Sequence, residues 1–122
     1  MTYFRLPLIA ILTTLFTLIA SPVVAGDCTR LCKSDFIRDA TAQDIQAEIN
    51  KGADVRARTE DGLTPLHNAA RWGKAEAVIA LLQAGADGKA RDEDGKTPFD
   101  LAKNNEKLKN TKAYWLLNEA QY

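Results

Sequence analysis

Apolar residues follow two patterns along this chain. From Leu6 to about Ala20 they form one predominantly apolar run behind Arg5, the only charge between Met1 and Ala25. Beyond Ala25 they fall into short clusters separated by charged, glycine-containing stretches. Val78, Leu81 and Leu82 recur at i, i+3 and i+4, the stripe of a half-buried helix, and predict one from about Lys74 to Ala84. Gly85 follows as a left-handed stop. Ile45 and Ile49 predict a second helix over Thr41 to Lys51, with Gly52 as its stop. Thr41 and Asp44 there resemble a capping box, with Asp where Glu or Gln is usual. Phe36 and Ile37 mark an earlier helix, with Ser34 expected to cap it. Tyr114, Leu116 and Leu117 mark a last one. Pro65 and Pro98 each follow a threonine. Proline at a first helical position loses no hydrogen bond, and the threonine can cap the exposed N–H groups. Glu60-Asp61-Gly62 and Glu93-Asp94-Gly95 carry turn chemistry, with glycine supplying positive φ.

These elements repeat. Gly52-Ala53-Asp54 returns as Gly85-Ala86-Asp87 thirty-three residues on. The same offset relates Ala57-Arg58 to Ala90-Arg91, and Asp61-Gly62-Leu63-Thr64-Pro65-Leu66 to Asp94-Gly95-Lys96-Thr97-Pro98-Phe99. Within this period Thr64-Pro65-Leu66-His67-Asn68-Ala69-Ala70, then Gly73, Val78, Leu81, Leu82 and Gly85-Ala86-Asp87, resemble the ankyrin repeat. The resemblance covers about Ser34 to Ala120. It implies an all-α solenoid of about three helix–turn–helix units, near 30–58, 59–91 and 92–122, with projecting β-turn or hairpin loops. The end units depart from the pattern, as the water-facing ends of a solenoid must. The first lacks the Thr-Pro-Leu-His signature. The third has Asp100 in place of the histidine and fits only after about two inserted residues, which put Tyr114, Leu116 and Leu117 where Ile79, Leu81 and Leu82 stand.

The first apolar run bears on destination. A positive start, an apolar middle and small residues at Val23 and Ala25 follow the order of a secretory signal peptide over 1–25. Cleavage is expected before Gly26, leaving 26–122 as the ankyrin-repeat domain. As an uncleaved anchor, ~15 apolar residues would span only about 22 Å of a hydrocarbon layer about 30 Å thick. The chain is therefore expected in the periplasm or outside the cell, touching a membrane only if cleavage fails. A lipid anchor is disfavoured, because Asp27 separates Gly26 from Cys28. The full chain holds 16 basic and 16 acidic residues, and loss of Arg5 leaves a net charge of −1. Nothing in that balance suits nucleic acid.

Candidate chemistry is sparse. Cys28 and Cys32 are the only cysteines. Their spacing is not that of a thioredoxin-like pair, and zinc would want further ligands. In an oxidising compartment a structural disulfide is expected, since residues four apart on a helix have Cα atoms about 6 Å apart. Free thiols or a metal or redox role are the alternatives. His67 is the only histidine; the resemblance implies that it stabilises the repeat, bonding to Thr64 and nearby backbone. No catalytic set, metal set or cofactor is expected.

The resemblance also implies a binding face, built from loop tips and the ends of the first helices. Its positions here are Glu60, Asp61, Leu63, Asn68, Arg71 and Trp72 in the middle unit, and Glu93, Asp94, Lys96, Asn104 and Asn105 in the third. Trp72 reads as a binding anchor or as packing against the neighbouring unit, and Trp115 as a cap on the core. The expectation is a monomeric, non-enzymatic interaction scaffold for a protein partner. The alternative is an accessory, protective or immunity-type partner of a co-exported enzyme or toxin.

Overall fold

The computed structural model describes residues 30–122. The expected signal peptide at 1–25, the cleavage point before Gly26 and Cys28 lie outside them. Among the described residues there are six α-helices and no strand. A 3-10 turn (Arg30–Cys32) leads into α1 (Ser34–Asp39), α2 (Ala42–Asn50), α3 (Pro65–Trp72), α4 (Ala75–Gln83), α5 (Pro98–Ala102) and α6 (Lys112–Ala120). Helix α3 packs between α1 and α5, and α4 between α2 and α6, giving an inner and an outer row. Leu31, Ile37, Ile45, Leu66, Val78, Leu81, Leu108 and Leu117 are fully buried and run as one core through all three helix pairs.

Three threonines start helices in the same way. Thr41, Thr64 and Thr97 each accept a hydrogen bond from the N–H three residues on, while the side chains of Asp44, His67 and Asp100 accept one from the threonine N–H. Two orphan donors are satisfied at each of these helix starts. At Asp100 the Lys103 ammonium and the Thr97 N–H hold the carboxyl down to about 2. Helix α1 differs from expectation: Lys33 is its cap residue and makes no side-chain cap bond, so Ser34 is the first helical residue and not the cap.

The third pair also differs. Buried Ala113 and Leu117 follow Ala77 and Leu81 by thirty-six residues, and the cap residue Thr111 follows Lys74 by thirty-seven, so the insertion is longer than the expected two or so residues. The insertion falls in the loop before Thr111, where Asn110 takes φ 61° and Leu108 is buried. Trp115 is mostly exposed and does not cap the core. Tyr114 instead sets its ring 5.1 Å from Phe99 and makes an edge contact with Trp115.

The middle pair closes tightly because Gly73 has no side chain. Its N–H donates to the Ala69 carbonyl at 2.8 Å, and a Cβ on it would stand 2.7 Å from that same oxygen. Gly73→Ala is expected to lower stability by about 1–3 kcal/mol, the usual range for overpacking, as read from urea melts. Position 106, one period later, is glutamate, and there the chain takes the longer loop.

Candidate functional site: the inner face

Between the helix pairs the chain makes two hairpin-like loops. The Thr59 N–H donates to the Leu63 carbonyl at 2.9 Å, and the Asp92 N–H to the Lys96 carbonyl at 3.0 Å. Gly62 and Gly95 turn them with φ of 73° and 76°. Arginine fixes each loop from within: Arg58 donates to the Gly62 carbonyl at 3.1 Å, and Arg91 to the Gly95 carbonyl at 2.7 Å. The loops are also joined. Arg58 reaches the Arg91 carbonyl at 2.8 Å, and the Glu93 N–H donates to the Asp61 carbonyl at 3.3 Å.

His67 ties the middle helix pair to the second loop. It is fully buried. Nδ1 lies 3.1 Å from the Thr64 nitrogen and Nε2 2.9 Å from the Lys96 carbonyl oxygen. A backbone N–H can only donate and a carbonyl can only accept, so the proton sits on Nε2 and the ring is neutral. Burial pushes the imidazole below its usual pKa range, against the Lys96 carbonyl and the Asp92 charge, which raise it. Both nitrogens are engaged by the chain itself. Asp100, its counterpart in the third pair, keeps the cap but reaches no further loop.

Two positions expected on the surface are interior. Asn68 is buried and donates its amide to the Cys32 carbonyl at 2.9 Å. Asn105 is buried and donates to the Ala70 and Gly73 carbonyls, both at 3.0 Å. Asn68 satisfies a carbonyl of the 3-10 turn before α1 and Asn105 two at the end of α3, and both side chains are buried, so neither is placed to meet a partner.

The other expected positions come together, apart from Glu60, which is exposed at the first loop tip but lines neither cleft described next. Asp61, Leu63, Arg71, Asp92, Glu93 and Asp94 line a cleft of about 260 Å³. Arg71, Trp72, Asp92, Asp94, Lys96, Leu101 and Asn104 line an adjoining one of about 370 Å³. Trp72 is 38% exposed, with the Arg71 and Arg38 guanidinium carbons 4.9 Å and 5.6 Å from its ring centre. The sequence reading missed Arg38, Asp92 and Leu101. Arg38 lies one period before Arg71, so the repeat itself carried that signal. Asp92 shapes the loop: its Oδ1 accepts the Asp94 and Lys96 N–H groups at 3.0 Å and 2.9 Å.

This arrangement of paired helices, buried signature histidine and projecting loops has a counterpart among known families: residues 49–102 match the family model described as ankyrin repeats (many copies). The fold is that of ankyrin repeats. No curated protein matches the chain. Ankyrin repeats suggest a scaffold for a protein partner, and the family is typically non-enzymatic. The outer row of this ankyrin fold has a depression of its own, about 520 Å³, between α4 and α6. It is lined by Ile79, Leu82, Leu116 and Ala120 with Gln83, Lys112 and Glu119. Among the described residues no group of three or more His, Cys, Asp or Glu is placed to hold a metal ion.

Proposed function

We propose that the chain is an exported, non-enzymatic scaffold that docks a protein partner on its inner face. The observation that carries this is the convergence of Asp61, Leu63, Arg71, Trp72, Glu93, Asp94, Lys96 and Asn104 on two adjoining clefts. A partly exposed aromatic ringed by charged groups has the make-up of an interface anchor with a polar rim. Truncating such an anchor typically costs about 2 kcal/mol, close to thirtyfold in affinity. Trp72→Ala, and to a smaller degree Leu63→Ala, should therefore weaken binding to whatever protein co-purifies from the exported fraction. Unchanged affinity in folded variants would remove this face. Lost stability with unchanged affinity would make Trp72 a packing residue. A co-purifying enzyme or toxin would favour the protective role.

Export is supported by the order of charge and hydropathy over 1–25, and the oxidising destination supports a bridge from Cys28 to Cys32. One intact-mass measurement checks both. The mature chain should begin at or within a few residues of Gly26, and its mass should rise by two hydrogens on reduction. A full-length chain in the membrane fraction would contradict export; two alkylatable thiols without reduction would contradict the bridge.

A further inference from the structure

The charges of the inner face are sorted. Three cations gather around Trp72: the Arg71 and Arg38 guanidiniums near its ring, and Lys107, whose ammonium donates to the Trp72 and Arg38 carbonyls at 3.4 Å and 3.5 Å. Those carbonyls end α3 and lie in the last turn of α1, where a cation is favoured. All three cationic side chains are exposed. The loop tips carry the opposite sign. Asp92 is occupied by two backbone N–H groups, but Glu60, Asp61, Glu93 and Asp94 are exposed at the tips. Lys96 offsets them weakly, 3.7 Å from Asp94 in a largely exposed pair. Between the two poles lie Leu63 and Leu101, partly buried in the cleft walls.

A uniformly charged partner gains at one pole and loses at the other. Arg71 shares the first cleft with Asp61, Glu93 and Asp94, so the two poles face each other across it. Resting on the docking reading above, we propose that the inner face takes an extended segment of a protein partner with ordered charge. Acidic residues lie against Arg38, Arg71 and Lys107, an apolar side chain lies over Trp72, and lysine or arginine lies at Asp61, Glu93 and Asp94. Such a segment is complementary at both poles, which fixes its orientation as well as its place.

Labelled peptides of one length test this by fluorescence anisotropy on the protein purified from its host. One has a glutamate block, a central Leu-Tyr pair and a lysine block. A second alternates the same charges, and a third replaces every lysine by glutamate. The blocked peptide should bind about tenfold or more tighter than either of the others. Arg71→Glu, at an exposed position, should erase that preference while leaving the melting curve in place, and a peptide with lysine in both blocks should regain binding to it. Equal binding of blocked and alternating peptides overturns the charge order and leaves the docking reading standing. Tighter binding of the all-acidic peptide overturns it in favour of a plain anion site. If no peptide binds, the charge order fails; the docking reading falls with it only if Trp72→Ala also leaves the co-purified partner's affinity unchanged.

Discussion

Leu117→Ala is expected to cost about 2–5 kcal/mol of stability, the range for emptying a fully buried leucine site, and Leu116→Ala clearly less. For a domain near a hundred residues the first corresponds to a fall in Tm of roughly 10 °C or more. Leu117 is fully buried in the position that Leu81 holds one helix pair earlier, whereas Leu116 is half-buried beside the outer depression. The comparison tests the longer insertion directly, because a two-residue insertion makes Leu116 the equivalent of Leu81. Thermal melts of both variants decide it: equal losses, or a larger one at Leu116, would restore the two-residue register.

His67→Ala is expected to cost about 3 kcal/mol. It leaves the Thr64 N–H and the Lys96 carbonyl without their side-chain partner and opens a void where the ring was. The pH dependence has a definite sign. The folded imidazole titrates below its ordinary value near 6.5, so its contribution is complete above that value and is lost as pH falls below it. A proton on Nδ1 would face the Thr64 N–H, donor against donor. The Tm of the parent protein should therefore fall between pH 7 and pH 5, and that fall should be much reduced in His67→Ala. The Asp100 carboxylate acts in a separate window, its contribution present above about 3.8 and lost as pH falls through about 2. A parent protein whose Tm stays flat from pH 7 to pH 5 would contradict the neutral, doubly bonded ring.

The sequence carried the helix pairs well because their determinants are local. Threonine caps, first-turn prolines and the stop glycines act within a turn of chain, and the thirty-three-residue offset repeats them. Two features depended on tertiary contacts and were read less well. The register of α6 depends on where Leu108 and Asn110 absorb extra chain, and no local pattern marks that. Asn68 and Asn105 look like surface residues because asparagine usually is one. They are buried because each meets backbone carbonyls more than thirty residues away. Lys107 is different: it stands one period after Lys74, which donates to the Asp39 carbonyl as Lys107 does to that of Trp72, so the repeat carried this signal as it carried that of Arg38.

The long-range hydrogen bonds have a consequence for how the molecule comes apart. Asn68 completes the 3-10 turn before α1, Asn105 completes α3, and His67 needs the loop that leads into α5. Detaching either end pair strands buried polar groups on the middle one, and each stranded group costs about 1–3 kcal/mol. Intermediates with one pair released are thereby raised above what lost apolar contact alone would impose. Melting is driven toward a single all-or-none step, and the stability of each repeat is held partly in residues of its neighbours.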